Sequence, residues 1–522
     1  MQLAKKTLPL AMLVAVSTLL SGNGHGAEPT TGGAETVQDW FTQGQNFIAD
    51  GRKVYPNTSR AKNVILFVGD GMGISTVTAA RILDGQQKGK TGEENRLSFE
   101  KMPYVAFSKT YSWDQQTSDS APTMTAMVTG YKGREGQLSV NHTTPRGECG
   151  AAVIASKALP TIIEQAAAVG KDIGIVSTAR LTHATPAATY AHTSVRDWEA
   201  DANITTCGTN PAGNPAVVKD IARQLIEVSP TVRGRLKVAM GGGRTYFLPK
   251  ANFDPEYSSI KGRRNDGRNL AAEWVSSRGT GAVYAWNKAQ FDAADSPGTD
   301  YLLGLFEPSH MQYEADRPND AAGEPSLTEM TERSINMLKK NPNGFFLHVE
   351  GGRIDHAHHA GNAKRALIDT IEFSSAIKKA MEMTSPSDTL IIVTADHSHT
   401  FTIAGYPHRG NPILGLVKEV PTVDGAQPIN ALDNLGLPYT TLGYQNGPGW
   451  RDAIATGTKR PDLHAVDTAD LSFLQEAAVP LGSETHAGED VGVWASGPRA
   501  HLVRGSMEQN WIYHVMKDAF GL

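Results

Sequence analysis

The sequence predicts an α/β fold: a large, mostly parallel central sheet covered by helices on both faces. Three observations predict it. Six short runs are almost continuously apolar: "NVILFVG" (63–69), "DIGIVST" (172–178), "LKVAMGGG" (236–243), "GFFLHVEG" (344–351), "TLIIVTAD" (389–396) and "VGVWASG" (491–497). Such runs suit strands buried on both faces. Helical stretches such as "TIIEQAAAVG" (161–170) and "PAVVKDIARQLIEV" (215–228) stand between them and supply the cover. A chain of 522 residues with 40% hydrophobic and 20% charged side chains is long enough to bury such a core.

Residues 1–27 predict a secretory signal, because Lys5 and Lys6 precede "LPLAMLVAVSTLLSG" and the small residues of "GNGHGA". The apolar core is short for a membrane span, so the expectation is export to the periplasm or the extracellular space. Cleavage removes two lysines and no acid from a chain of formal charge −5, and no basic excess points to nucleic acid. Cys149 and Cys207 are the sole cysteines; an even pair in an oxidising compartment predicts one disulfide. Next come an amphipathic stretch, "VQDWFTQGQNFI" (37–48), and a small-residue helix in "TSDSAPTMTAMVTG" (117–130), with Pro122 in its first turn and Gly130 after its end. Two segments break the rhythm and read as insertions into the core. Residues 245–327 are rich in Asp, Glu, Gly and aromatics, and 405–480 holds "NGPGW" and scattered prolines. The chain closes on an amphipathic helix, "MEQNWIYHVMKDAF" (507–520).

Ligand-type residues gather at the carboxyl ends of the strands, where ligands bind in open α/β sheets. Five of the sixteen histidines fall in "DHAHH" (355–359) and "DHSH" (396–399). Glu350 ends one apolar strand, and Asp355 and His359 are four apart, on one face of a helical turn. An Asp and a His so placed, with a third ligand from elsewhere, make an open zinc site. Asp396 and His397 end another strand and share an ion only if the strand breaks there. Asp70 sits in a glycine turn after a third strand, in "VGDGMG". A bare carboxylate in such a turn repels phosphate unless a cation stands between them. Ser120 at a helix start reads as a cap or, beside a divalent ion, as a nucleophile. Arg196, downstream of Thr185, offers a planar fork for a phosphoryl group.

Taken together, "VGDGMG", "DSAPTMTAMVTG", "HATPAATYAHTSVRD", "GGGRTYF", "VEGGRIDHAHH", "TADHSHTFTIAGYP" and "ETHAGEDVGVWASGP" resemble the alkaline phosphatases, in family order from about residue 36 to the C-terminus, and look closest to the animal and marine-bacterial type. The resemblance implies hydrolysis of small phosphate monoesters through a phosphoserine at a site of two zinc ions and one magnesium. Asp355, His359 and His486 would hold one zinc, and Asp70, Asp396 and His397 the second. Asp70, Thr185 and Glu350 would hold the magnesium, with Ser120 the nucleophile and Arg196 the phosphate grip. His183 and His356 stand where the enteric type has Asp and Lys, so the water network near magnesium and phosphate is retuned. Glu256, Phe306, Glu307 and Glu324 resemble an extra calcium site, with Glu324 where Asp is usual. The resemblance divides the chain into a signal (1–27), an α/β core (28–404 and 481–522, with 245–327 as the extra metal-binding region) and a crown-like insertion (405–480). The crown and residues 37–48 are the expected contacts of a homodimer. Sulfatases and phosphodiesterases share this layout, but "DSAPT" lacks the sulfatase motif, and a diesterase would lack the Thr185 and Glu350 pair.

Overall fold

The computed structural model describes residues 36–205, 207, 218–295, 297–450 and 460–522. The expected signal, residues 1–27, lies outside them. The chain divides into two units, the first ending at Val54 and the second running from Tyr55 to the C-terminus. In the first, the helix Val37–Gly51 opens with a capping box between Thr36 and Asp39 and has no buried side chain.

The second unit is built on a sheet with ten strands among the described residues. They lie side by side in the order Ser506–Glu508, Tyr104–Lys109, Val491–Ser496, Thr389–Ala395, Asn63–Gly69, Phe345–Gly351, Asp172–Arg180, Leu236–Gly242, Tyr301–Leu305 and Ala282–Ala285. Val491–Ser496 runs antiparallel to both neighbours; the other pairings are parallel. The strand 63–69 sits at the middle and is buried throughout. Its alternate side chains separate cleanly: Val64, Leu66 and Val68 enter the core under the helices Ser120–Thr129, Ile162–Ala168 and Trp511–Phe520. Ile65 and Phe67 enter the core under Ile74–Gln87, Leu327–Leu338 and Ala363–Met383. Two apolar faces per strand explain the unbroken apolar runs.

All six expected strands form. Four others join them, and two of these correct the reading of 245–327 as an insertion. Ala282–Ala285 and Tyr301–Leu305 extend the central sheet. The C-terminal helix is shorter than 507–520 because Ser506–Glu508 pairs with Phe107–Lys109 as an edge strand. The helix expected over 215–228 spans Ile221–Ile226, capped by Asp220; residues 215–217 lie outside the described part. Within 405–480 the main regular structure is a small sheet formed by Phe401–Ile403, Leu442–Gly447 and Ala477–Pro480. Cys149 and Cys207 are joined in a disulfide, with Cα atoms 5.5 Å apart. No helix among the described residues is long and apolar enough to cross a membrane.

Candidate active site

Three adjacent central strands deliver acids to one end of the sheet. Asn63–Gly69 leads to Asp70, Phe345–Gly351 carries Glu350, and Thr389–Ala395 leads to Asp396. The turn after the first strand must be glycine. Gly71 has φ +66°, and a Cβ there would lie 2.3 Å from His399 Nε2, so a side chain is excluded both by conformation and by space. The Gly71 N–H instead donates to Asp396 Oδ1 at 3.0 Å, tying two of the acid-bearing loops together. The strand carrying Asp396 ends at Ala395, and the break lets Asp396 and His397 turn to the same site. The chain then forms a two-residue bridge in which His399 pairs with His486, and this brings a residue from 87 positions downstream into the cluster. Asp355 and His359 share the helix Arg353–His359.

The expected ligands converge. Asp70, Asp396 and His397 have donor atoms within 4.8 Å of one another; His397 Nε2 is 3.4 Å from Asp70 Oδ1 and 3.3 Å from Asp396 Oδ2. Around Asp355 Oδ1 stand His359 Nε2 at 3.4 Å and His486 Nε2 at 3.3 Å. Glu350 groups with Asp70, and Thr185, on the turn Ala184–Ala187, is fully buried beside it.

Burial makes these acids resist ionisation. Asp70 is held well above the usual carboxylate range by burial first, then by Asp396, Asp355 and Glu350. Burial, with Asp396 adding to it, pushes Glu350 up to about 8. Asp396 rises to about 6 for the same reason, with Asp355 the principal neighbouring charge. Buried and without a hydrogen-bond partner are Asp70 Oδ2, Thr185 Oγ1, Glu350 Oε1, Asp396 Oδ2 and His397 Nδ1. Native proteins rarely leave such atoms unmet. These orphans coincide with the expected ligands, and a cluster of acids, a hydroxyl and neutral imidazoles suits divalent cations.

Ser120 is the first residue of its helix, not the cap. Asp119 holds that position, accepting from the Ala121 N–H. This leaves Ser120 Oγ free to face the cluster, 3.1 Å from His397 Nε2 and 3.4 Å from Asp70 Oδ1. Arg196 is held from both sides. Its Nη1 bonds Asp119 Oδ2, and its Nη2 donates to His183 Nε2 at 3.0 Å.

Four residues of this neighbourhood escaped the sequence reading. Asp119 anchors Arg196. His399 donates to Asp355 Oδ1 at 2.8 Å and to Glu484 Oε2 at 2.5 Å. Burial alone would lower His399, but the two carboxylates win and push it up to about 9. His310 lies against His183 and His356, with ring centroids 5.2 and 3.9 Å away. The signals for His399 and Glu484 were the second His of "DHSH" and the acid two places before His486 in "ETH". Nothing local marks His310.

A second acidic cluster lies in 245–327. Gln312 bridges Glu307 and Glu324, its side chain donating to Glu307 Oε1 and its backbone N–H to Glu324 Oε1, both at 2.9 Å. Glu256 Oε2 accepts from Arg244 Nη2 at 2.9 Å, and the Phe306 carbonyl accepts from Arg244 Nη1 at 3.1 Å. Asp320, which the sequence reading did not include, contributes two buried oxygens without a partner, as do Glu256 and Glu324 with one each. Burial, together with Glu307 and Asp320, pushes Glu324 up to about 9.

A mostly parallel sheet with buried acids and histidines at the carboxyl ends of its strands, facing a serine and an anchored arginine, defines a metal-binding hydrolase. Comparison with known proteins gives the family. The sequence profile of the alkaline phosphatase family matches residues 61–522. The alkaline phosphatase of Gadus morhua is 47% identical over 89% of this chain and 92% of its own length. The tissue-nonspecific isozyme of Homo sapiens is 46% identical over 89% of this chain and 84% of its own. Among solved structures, the Thermus thermophilus alkaline phosphatase aligns with a TM-score of 0.60 at 23% identity, covering 90% of this chain and 93% of that one. The enzyme of the Antarctic bacterium TAB5 aligns with a TM-score of 0.57 at 21% identity, covering 89% and 99%. The chain belongs to the alkaline phosphatase family, and it is a metal-binding phosphatase.

Proposed function

We propose that the chain hydrolyses phosphate monoesters through a phosphoserine on Ser120, at a site of two zinc ions and one magnesium. The observation that carries this reading is the approach of Ser120 Oγ to His397 and Asp70, within a cluster whose unpartnered atoms are the ligands such ions need. Asp355, His359 and His486 hold the first zinc and Asp70, Asp396 and His397 the second. Asp70, Thr185 and Glu350 hold magnesium, whose hard-oxygen preference they meet. Ions held there neutralise charge on the phosphoryl group and lower the pKa of an adjoining hydroxyl or water.

The chain's own groups do the rest. Ser120 Oγ gives up its proton and attacks phosphorus; the bond to the alcohol oxygen breaks, and the alcohol leaves with a proton. Water then attacks the phosphoserine, the bond between Ser120 Oγ and phosphorus breaks, and inorganic phosphate departs. Arg196 clamps two phosphoryl oxygens with a fork that Asp119 and His183 hold in place. His399, charged and held by Glu484, fixes the carboxylate of Asp355. Only phosphate is gripped, so a broad range of alcohols is accepted. The TAB5 variants His 135 Asp and His 135 Glu carry Mg in the M3 site, which supports a magnesium position in this fold. p-Nitrophenyl phosphate hydrolysis tests the reading. Alkaline activity should vanish on chelation, return with zinc and magnesium, and fall at least about 1000-fold in Ser120→Ala. Full metal dependence with an unchanged Ser120→Ala would show that water attacks directly.

Three lesser readings accompany it. Glu256, Glu307 and Glu324, with the Phe306 carbonyl, form a calcium site, supported by the unpartnered oxygens of Glu256 and Glu324. Residues 405–480 form a crown that joins a second copy, supported by exposed Val420, Val423, Ile429 and Leu432; the exposed Trp40, Phe41 and Phe47 of the first unit suit the same role. Residues 1–27 direct export to the periplasm or beyond. A single light-scattering peak at monomer mass would refute the dimer.

A further inference from the structure

His183, His310 and His356 stand apart from the two zinc sets. Their rings lie 3.9–5.3 Å apart between centroids, and one donor nitrogen of each falls within 4.8 Å of the others. Three separated stretches supply them. His183 caps the turn Ala184–Ala187. His310 follows the strand Tyr301–Leu305, and His356 lies on the helix Arg353–His359.

Two features call for a ligand. Nδ1 of His183 and Nδ1 of His356 are buried with no hydrogen-bond partner, which is costly for a polar atom. The His183 ring accepts from Arg196 at Nε2, so its neutral form carries its proton on that orphaned Nδ1. Imidazole nitrogens are common metal ligands. Two of the nearby cations are already paired, and a third, Arg353, lies over the ring of Tyr313 at 3.6 Å. Arg180 pairs with Glu199 through two bonds of 2.8 Å, and Arg196 pairs with Asp119. Arg180 also touches both nitrogens of His310; ligation takes one of these contacts and leaves the pair with Glu199 intact.

We propose that His183, His310 and His356 form an additional metal site, distinct from the zinc and magnesium sets. The donor set decides the ion. Three imidazoles without a carboxylate select zinc, cobalt, nickel or copper over magnesium or calcium. The site also borders the phosphate grip. A metal on His183 Nδ1 leaves the ring proton on Nε2, facing the N–H of Arg196, so the guanidinium must turn. This consequence, unlike the site itself, rests on the reading of Arg196 as the phosphate ligand.

His183 has a competing role, because it also groups with Asp70 and Glu350. The test therefore uses His310, which belongs to the triad and to no other set described above. Holoenzyme loaded with zinc and magnesium is dialysed against excess zinc and its metal counted by mass spectrometry. A parallel sample takes cupric ion for electron paramagnetic resonance. Wild type should retain one zinc per chain more than His310→Asn and His310→Gln, whose affinity for it falls about 10-fold or more. The copper spectrum should show three nitrogen ligands in the wild type. Circular dichroism melts confirm that the variants fold; using two of them guards against loss of one. An extra zinc retained by both variants would place the ion with Asp70, His183 and Glu350 and overturn the proposal. No extra zinc in wild type would overturn it equally.

Discussion

Asp119 and His348 show how single residues set activity and stability here. Asp119 caps a helix and, with the same carboxylate, holds the Arg196 guanidinium. Removing it should free the arginine more than it unravels the helix, since Ser120–Thr129 is buried along its whole length. Asp119→Ala is expected to raise both KM and the inhibition constant for phosphate by about 5- to 30-fold, the loss of one charge-assisted anchor. The kcat need not fall, because release of phosphate becomes easier. Steady-state kinetics with phosphate inhibition checks this. His348 lies in the middle of the strand Phe345–Gly351, fully buried, with both ring nitrogens unpartnered. Burial lowers its pKa to about 3. An unfolded chain binds that proton below about pH 6.5 while the folded one refuses it, so stability is lost as pH falls from 6.5 toward 3. His348→Phe should stabilise by about 1–3 kcal/mol at neutral pH. The gain should widen at pH 5, as melting curves at the two values would show.

At the scale of elements, the central strands were legible because both their faces are apolar; Asn63–Gly69 matches its expected span end to end. Tyr104–Lys109 was missed because its exposure alternates, with Val105, Phe107 and Lys109 facing solvent, and a half-exposed strand of mixed polarity carries a weaker signal. Ser506–Glu508 is three residues long, too short for any periodicity. The site followed the same logic. Residues announced by clustering or by a strand end are the ones the sequence singles out, whereas His310 and Asp119 are tied to the site through partners distant in sequence. The glycine turn after Asn63–Gly69 is the element on which most depends. Gly71→Ala must strain a left-handed residue and displace His399, and His399 holds Asp355. The expected outcome is a loss of kcat of at least about 10-fold together with weaker zinc retention, the effect of losing the residue that orients a carboxylate proposed to hold zinc. Metal counts after dialysis, set beside kinetics, check it; full activity with normal zinc would show that the turn yields without moving His399.

For the whole molecule, the sheet brings acids into two buried clusters, and folding without cations must tolerate their mutual repulsion. In metal-free protein Asp396 titrates at about 6 and Glu350 at about 8, each raised by burial and by other acids. In the second cluster Glu256 stands at about 7 and Glu324 at about 9, for the same causes. Unfolded, these groups ionise near pH 4. Between that value and their folded pKa values, the folded chain holds more protons than the unfolded one. Each such group therefore stabilises relative to alkaline solution below about pH 4, and its contribution is lost as pH rises to 9. Cations replace the protons and remove the dependence. Chelated protein should thus melt at progressively lower temperature from pH 7 to pH 9, above the range in which the buried histidines act, while protein in zinc, magnesium and calcium should change little between those two pH values. The separation between the two curves, greatest at alkaline pH, measures how far the fold relies on its ions where a phosphatase of this family works. Parallel curves would mean that the acids relax into solvent once the metal is gone, and that the clusters open without unfolding the sheet.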